Sequence, residues 1–490
     1  MNRFRFALKT LMLLLIAFVS GTASVLVFAK IADNVSTGIF FVYMIVLVGV
    51  LFLLKKCWGK LYTLFAKAEP ILSTVMPVVL GIAMFFVCSK WLYENTAGYF
   101  DYNILFVSAD AVSKGEALDD YCYRYFLNCT NNLKPMLMLS WLFKLARFLH
   151  ISGPFFVLIL VCATVVATSV AMGALVSEKN DRTWRLPASL LVFVYLPVWG
   201  FSSAFYTDTM SFGLCIVALA LIRKSDINRK KTYIVFNTLA ALLIAFATVW
   251  KITAIIPLIA YAIVFFVNEK KIGFKKAVLP LAVMAATLIS LNLVFGTYDI
   301  VKESKTTGDP ITSWFAKGMT NDGTWLENSE YGTKIHEFST KEEKAEYTKQ
   351  YISENISEAF KVEHIWGKLK VSFSNGNLGV DCFSLVGSDS SFGQMFRQEG
   401  KYYTPVTIVD LSVLITVYIS IFIIAAFNLS ELFRGRENDT LELSIGLSLV
   451  GIFVFLMISE ANSRQLYNQV PMLLLAIVCF LKKRPGRKQS

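Results

Sequence analysis

Residues 154–176 have the sequence PFFVLILVCATVVATSVAMGALV, which contains no charged side chain. A helix needs roughly 17 to 25 mostly apolar residues to cross the hydrocarbon of a bilayer, so this stretch predicts a membrane span. Similar stretches recur along a chain of 490 residues that is 56% hydrophobic and only 17% charged. This composition excludes a soluble fold, because too much apolar surface would remain in water. We therefore expect an all-α, multi-pass membrane protein.

Hydropathy places about twelve spans, and the first of these is expected to be a retained anchor rather than a cleaved signal peptide. The stretch 135–149 is not counted as a span because it is short and contains Lys144 and Arg147. We expect it to be an amphipathic helix in the outer membrane interface. The twelve predicted spans are 7–29, 37–54, 71–92, 154–176, 186–204, 209–224, 232–249, 252–267, 277–296, 405–427, 441–459 and 466–481.

Lys and Arg cluster in alternate connections between the predicted spans, and such connections remain on the cytoplasmic side of a membrane. The pattern predicts that both termini are cytoplasmic and that the two longest connections face outward. The net charge of +12 is explained by this topology, so we expect membrane lipid but no nucleic acid as a partner. The cationic segments are 3–9, 55–60, 182–185, 223–231, 270–276, 434–436 and 482–488.

The order of spans and long connections suggests four parts of the chain. Connections as long as 93–153 and 297–404 usually carry function or a small domain of their own. We expect a helix at 340–361 in the second one. The four parts are two N-terminal spans (1–70), a transmembrane module with the outer loop 93–153 (71–296), an extracytoplasmic domain (297–404), and C-terminal spans with a basic tail (405–490).

Few residues suggest a metal site or a soluble catalytic domain. Cys122 and Cys129 lie in the same outer loop, where they could form a disulfide in an oxidising compartment or stay as free thiols. The chain has three His and no CxxC pair, so a structural zinc site is not expected. It also lacks a phosphate-binding Walker loop, a GxSxG elbow and a GxGxxG turn. Because every inward segment is short, we do not expect a nucleotide-sugar donor.

Five ionisable residues lie at predicted outer ends of spans, where charges are costly and often mark substrate sites. They are Asp101, Asp208, Lys251, Glu460 and Arg464. Each has a simpler explanation. The first Asp could belong to an aromatic belt, the second could cap a helix, the Lys could snorkel to the interface, and the last two could form a bridge.

The arrangement of these residues resembles the GT-C superfamily, the membrane glycosyltransferases that use polyprenyl-phosphate-linked sugars. In that superfamily an acidic residue follows a transmembrane helix, interfacial helices come next, and a second acidic residue heads the next outer turn. Most of the chain from 71 to 481 is similar in arrangement, although Arg464 is followed by Gln465 where many bacterial relatives have Tyr. The similar segments are GYFDYN (98–103), NNLKPMLMLSWLFKLARFL (131–149), FYTDTMS (205–211), WKITAIIP (250–257), ITSWFAKGMTNDGTW (311–325) and NSRQLYNQVPMLLLAI (462–477).

The resemblance implies an inverting transfer of a sugar to a cell-envelope glycan or other acceptor at the outer face of a plasma membrane. The same residues suit this chemistry, which needs a base for the acceptor hydroxyl and cations for the leaving phosphate. Asp101 is the expected base, whereas Lys251 and Arg464 are expected to hold the lipid phosphate. Asp208 could orient the acceptor or the base. With Asp101 it could also hold a divalent cation, Mg²⁺ or Mn²⁺.

Aromatic residues near these charges suggest where a sugar could bind. Trp314 and Trp325 could stack on sugar rings or could simply pack within the outer domain. Tyr102 and Glu460 are further candidates for substrate binding. Two other functions stay open. A flippase for lipid-linked saccharides would require ionisable residues inside the spans, and a polysaccharide polymerase or ligase would use diphosphate-linked glycans.

Overall fold

The computed structural model describes residues 3–34, 37–94, 101–177, 181–226, 228–268, 273–320, 323–324, 329–380, 394–395 and 400–482. Within these ranges the secondary structure is entirely helical, and no strand occurs. The all-helical part of the predicted fold class is therefore confirmed.

The helices follow one another with short connections in most of the chain. Before residue 297 they are Arg3–Asn34, Thr37–Phe65, Glu69–Glu94, Asp101–Lys114, Asp120–Asn128, Thr130–Phe148, Gly153–Val176, Arg185–Val194, Pro197–Ser202, Thr207–Ser211, Leu214–Lys224, Lys230–Trp250, the 3₁₀-helix Ile252–Ile255, Ile256–Asn268 and Gly273–Phe295. After it they are Asp299–Thr307, Ser313–Lys317, Glu330–Ile335, Lys341–Ala359, Val362–Phe373, Tyr403–Phe433, Thr440–Ile458, the 3₁₀-helix Ser463–Gln469 and Val470–Lys482.

Among the described residues, eight helices are long and apolar enough to cross a membrane. Two shorter apolar helices, Arg185–Val194 and Ile252–Asn268, lie where two further spans were predicted. The helix Thr37–Phe65 contains the predicted span 37–54. The eight are Arg3–Ala32, Glu69–Lys90, Gly153–Val176, Lys230–Trp250, Val278–Phe295, Tyr403–Phe433, Thr440–Ile458 and Ser463–Lys482.

Two predicted spans are interrupted in the structure. The span predicted at 186–204 breaks after Val194 and resumes at Pro197, because proline has no N–H to continue the hydrogen bonding of a helix. The span predicted at 209–224 breaks at Gly213, whose φ of 67° is accessible to glycine at little cost. A Cβ atom there would overlap the side chain of Thr168, so the break also allows close packing of two helices.

Contacts among the cationic segments that the structure describes place these segments at one end of the helical bundle, which we call the basic end. There the Trp58 indole donates to the carbonyl oxygen of Thr183 at 2.5 Å. The Arg223 guanidinium likewise donates to the carbonyl oxygen of Leu175 at 2.5 Å, near the end of a membrane helix. The opposite end, called the site end, is where the helices Glu69–Glu94, Lys230–Trp250 and Thr440–Ile458 finish.

The helix Thr130–Phe148 contains the stretch predicted to lie in the interface, and it is not among the eight candidate spans. It packs against the helix Asp101–Lys114, where the Arg147 guanidinium forms an ion pair with Asp110 at 2.5 Å. Cys122 and Cys129 are not joined by a disulfide. Seven residues along a helix separate them by about 10 Å, which is beyond the reach of a disulfide.

Residues 297–404, called the long loop below, carry a small core of their own. The predicted helix at 340–361 is confirmed as Lys341–Ala359, and it begins with a capping box between Thr340 and Glu343. Tyr331 is fully buried, and its ring stacks on Tyr347 at 5.7 Å between centroids. These contacts give the described part of the long loop a defined structure at the site end.

Candidate functional site

Asp208 is the centre of a buried group of charges at the site end. Its carboxylate is 1% exposed, with Oδ1 lying 2.5 Å from the Lys251 Nζ atom and Oδ2 lying 3.4 Å from the Arg464 Nε atom. The two cationic side chains are 12% and 13% exposed. Asp208 lies inside the short helix Thr207–Ser211 and does not cap it, and the Lys251 ammonium group faces a buried carboxylate rather than water. The simpler explanations for these two residues are therefore wrong.

The backbone explains how the two cations reach one carboxylate. Lys251 has an extended conformation between a membrane helix and the 3₁₀-helix Ile252–Ile255. Arg464 is the second residue of the 3₁₀-helix Ser463–Gln469, and its N–H donates to the Asn462 side chain at 3.0 Å. The Gln469 amide donates to the carbonyl oxygen of Thr253 at 2.8 Å, which joins the two turns. The ion pairs therefore connect three segments that are distant in sequence.

Tyr206 connects this group to Asp101. Its hydroxyl donates to Asp101 Oδ2 at 3.0 Å, and the guanidinium carbon of Arg464 lies 4.8 Å from the centre of its ring. Burial raises the pKa of Tyr206 well above its usual value, so the hydroxyl keeps its proton and acts as a donor. The Asn132 amide donates to the same hydroxyl at 3.2 Å. A continuous series of contacts thus extends from Asp101 through Tyr206, Arg464 and Asp208 to Lys251.

Glu460 lies between the end of the helix Thr440–Ile458 and the 3₁₀-helix that carries Arg464. The Asn462 amide donates to its Oε1 atom at 3.5 Å. Desolvation raises the pKa of Glu460, against the opposing effect of Arg464. Arg464 forms an ion pair with Asp208, which lies in a turn that is distant in sequence. The bridge between Glu460 and Arg464 that the sequence suggested would have linked two residues of the same turn.

The aromatic candidates have different surroundings. Tyr102 is buried in the core, and its hydroxyl donates to the carbonyl oxygen of Ser203 at 3.4 Å, so its ring is not presented to a ligand. Trp314 is half-buried in the helix Ser313–Lys317, and the Lys317 Nζ atom lies 4.9 Å from the centre of its ring. Trp325 lies outside the described residues.

The donor set at Asp208 does not fit a divalent cation. Both oxygen atoms of this carboxylate already face a positive group, and a further cation would be repelled by Lys251 and Arg464. Among the described residues, no group of three His, Cys, Asp or Glu side chains could hold a metal ion. The option that Asp101 and Asp208 share Mg²⁺ or Mn²⁺ is therefore not supported by their geometry.

Asp410 is a buried acidic residue that the sequence reasoning did not single out. It is 1% exposed and lies within the membrane helix Tyr403–Phe433. The signal was present in the sequence, because ionisable residues inside spans are rare and costly. Since Asp410 lies near one end of a long apolar helix, hydropathy alone does not distinguish it from a residue at the interface.

These features define the class of protein: an all-helical, multi-pass integral membrane protein with a buried cluster of charges at one end of its helices. The model of a family described as conserved hypothetical integral membrane protein matches residues 2–483, and the chain belongs to that family. Comparison with curated proteins gives no match, and comparison with solved structures gives none.

Proposed function

We propose that this protein is an integral membrane glycosyltransferase that transfers a sugar from a polyprenyl-phosphate donor to a cell-envelope glycan or another acceptor. The observation that carries the proposal is the series of contacts from Asp101 to Lys251. It places a carboxylate at one end and two cations around a second carboxylate at the other. Acid–base and phosphate-binding groups are needed side by side for transfer from a lipid phosphate.

The charges suit a phosphodiester. One carboxylate, Asp208, and two cations, Lys251 and Arg464, sum to a net charge of +1 when all three are ionised. A phosphodiester carries one negative charge, and its phosphate gains another as the bond to the sugar breaks. Asp208 then has the role of holding the two cations in place, because a buried cation without a partner is unstable. This role replaces the expectation that Asp208 orients the acceptor.

The reaction is a single displacement at the anomeric carbon. The acceptor oxygen forms the new bond to that carbon while its proton passes to Asp101. The bond to the phosphate oxygen breaks, and its electron pair leaves with the polyprenyl phosphate. The tyrosine hydroxyl next to Asp101 holds the carboxylate in one orientation, and attack from the opposite side inverts the configuration of the sugar.

The orientation in the membrane follows from the distribution of Lys and Arg. Cationic connections remain on the cytoplasmic side, so the basic end is cytoplasmic in this proposal and the site end faces outward from a plasma membrane. Both termini are then cytoplasmic. The proposal also retains twelve spans, with the two interrupted spans crossing the membrane as broken helices, and a GT-C-like catalytic module.

Asp410 is the observation that favours a transporter, because a flippase requires ionisable residues within its spans. In this second candidate function the protein moves a lipid-linked saccharide between leaflets and Asp410 is part of the path. A polymerase or ligase that uses diphosphate-linked glycans is the remaining alternative. The concentration of charges at the site end favours transfer over transport.

The experiment compares the wild-type protein with Asp101→Asn and Asp110→Asn in nanodiscs. Both substitutions lie in the helix Asp101–Lys114, and Asp110 pairs with Arg147 away from the Asp208 cluster. Radiolabelled polyprenyl-phosphate hexoses are supplied with a cell-envelope acceptor extract. Transfer by the wild type and Asp110→Asn, but not by Asp101→Asn, is the expected result.

Three outcomes would overturn parts of the proposal. Equal transfer by all three proteins would remove Asp101 from the mechanism. Movement of lipid-linked saccharide between leaflets without any transfer, abolished by Asp410→Asn, would replace the enzyme with a transporter. Transfer that occurs only with diphosphate-linked glycans would favour the polymerase or ligase.

A further inference from the structure

Lys368 is a buried cation that takes no direct part in the cluster around Asp208. It lies in the helix Val362–Phe373 of the long loop and is 2% exposed. Its Nζ atom donates to the carbonyl oxygen atoms of Gly318 at 3.0 Å, Met457 at 3.0 Å and Ser459 at 2.6 Å. Three acceptors require three N–H groups, which only the ammonium form supplies. Burial lowers the pKa of Lys368 to about 8, so the ammonium form predominates at pH 7.

The three carbonyl groups come from two separate parts of the chain. Gly318 belongs to the long loop, whereas Met457 and Ser459 end the membrane helix Thr440–Ile458. The last carbonyl groups of a helix have no partner within the helix, and they attract a positive charge. Lys368 therefore satisfies a helix terminus and ties the long loop to it with the same ammonium group.

Two glycines make this approach possible. A Cβ atom on Gly318 would lie 2.5 Å from the carbonyl oxygen of Ser459, and one on Gly323 would overlap the side chain of Lys368. Gly323 also has a φ of 87°, a conformation that side chains disfavour. Its carbonyl oxygen accepts a hydrogen bond from the N–H of Ala461 at 2.8 Å. The backbone of the long loop thus contacts the backbone of residues 459–461 directly.

The tied segment is the one that carries the charged residues of the site. Residues 459–464, called the 459–464 segment, contain Glu460 and Arg464. The His364 Nε2 atom lies 3.1 Å from the carbonyl oxygen of Gly318, on the same side as Lys368. The contacts of the long loop therefore reach the 459–464 segment within a few residues of the guanidinium that faces Asp208.

We propose that Lys368 is a positioning residue that fastens the long loop to the 459–464 segment and thereby holds Arg464 against Asp208 and Tyr206. The fastening itself is independent of the activity. Its consequence for catalysis rests on the proposed function, because only there does Arg464 hold the phosphate of the donor. Loss of the fastening then weakens donor binding without removing any group that touches the substrate.

The test uses the full-length protein in nanodiscs with Lys368→Met, which keeps the length of the side chain but removes its donors. Lys344→Met is the matched control, because Lys344 is also buried in the long loop but pairs with Asp309 at 3.2 Å. Hydrogen exchange of the 459–464 segment should accelerate roughly tenfold in Lys368→Met. It should stay unchanged in Lys344→Met, and the helix Thr130–Phe148 should be unaffected in both.

A second variant covers the case in which Lys368→Met does not fold. Gly318→Ala keeps the lysine but places a Cβ atom against the carbonyl oxygen of Ser459, so it should accelerate exchange of the same segment. Unchanged exchange in each variant that folds would overturn the proposal, as would faster exchange throughout the protein. If neither variant folds, the conclusion is that Lys368 is needed for the whole fold rather than for this segment, and the positioning role is rejected.

The transfer assay separates this inference from the proposed function. The apparent KM for the polyprenyl-phosphate donor should rise roughly tenfold in Lys368→Met, whereas Lys368→Arg, which retains several donors, should recover part of the loss. A KM equal to that of the wild type would contradict the positioning role. If Lys368→Met shows faster exchange but the wild-type protein shows no transfer, the structural role of Lys368 is supported and the glycosyltransferase is rejected.

Discussion

Replacing Asp208 by Asn is the perturbation that tests the site most directly. The amide has the shape of the carboxylate but lacks its charge, so Lys251 and Arg464 lose their shared counter-ion while remaining 12% and 13% exposed. Removing one partner of a buried ion pair costs about 3–5 kcal/mol, because the remaining charge is left without compensation. We expect Asp208→Asn to lower the free energy of unfolding by an amount in that range.

The chain contains a matched control for this substitution. Asp299 lies 2.7 Å from Lys302, so the two ion pairs have similar geometry, but the Asp299 side chain is 93% exposed. Exposed pairs contribute little to stability because water and salt screen them. Asp299→Asn should therefore leave unfolding unchanged. The measurement is unfolding in detergent by titration with SDS, followed by circular dichroism, for both variants and the wild type.

A double variant makes the test sharper. Lys251→Met removes one of the two uncompensated cations, so Asp208→Asn combined with Lys251→Met should be more stable than Asp208→Asn alone. The excess over additivity measures the interaction of the two residues. If Asp208→Asn is no more destabilising than Asp299→Asn, or if the double variant loses stability additively, the charges around Asp208 do not stabilise the site as argued.

Three further substitutions test individual contacts. Tyr206→Phe removes the hydroxyl that donates to Asp101 but keeps the ring next to Arg464, so transfer should slow by about tenfold to a hundredfold in a single-turnover assay, with unfolding little changed. Arg464→Lys loses the planar group that lies over this ring, and the apparent KM for the lipid donor should rise about tenfold with the protein still folded. The pKa of Glu460 is raised in the folded protein, so its protonated form contributes to the free energy of unfolding below pH 4.5. This contribution is lost as the pH rises through the raised pKa. Glu460→Gln should abolish that decline in thermal midpoints measured between pH 4.5 and 7, and a decline that persists would assign it to another group.

The fold was predictable from sequence because lipid imposes a strong constraint on every span. A run such as 154–176 has few alternatives in a membrane, and the structure contains the helix Gly153–Val176 there. The interruptions at Pro197 and Gly213 were missed, since hydropathy measures side chains and not the backbone. Both residues are helix breakers, but the loss of a helical turn also depends on what packs beside it. At Gly213 that neighbour is Thr168, which no local pattern identifies.

The charged residues of the site were predictable for a related reason. Asp208, Lys251 and Arg464 lie in short turns between apolar helices, where an ionised side chain requires a partner. The sequence could not show that they are partners of one another, because that depends on how three distant turns are packed. It also suggested that Asp208 could share a metal ion with Asp101. The contacts with two cations argue against that option, because Lys251 and Arg464 already compensate the negative charge of Asp208 that would attract a metal ion.

Tyr206 and Lys368 were missed because each residue type is ordinary at its position in the sequence. Tyrosine is common at membrane interfaces, and a lysine in a polar connection is expected to be solvated. Their importance comes from burial and from the identity of their neighbours: a carboxylate and a guanidinium around Tyr206, and three carbonyl groups around Lys368. Charged residues in apolar turns therefore indicate the position of such a site in the sequence. The residues that keep these charges in contact with one another are identified only from the contacts in the folded structure.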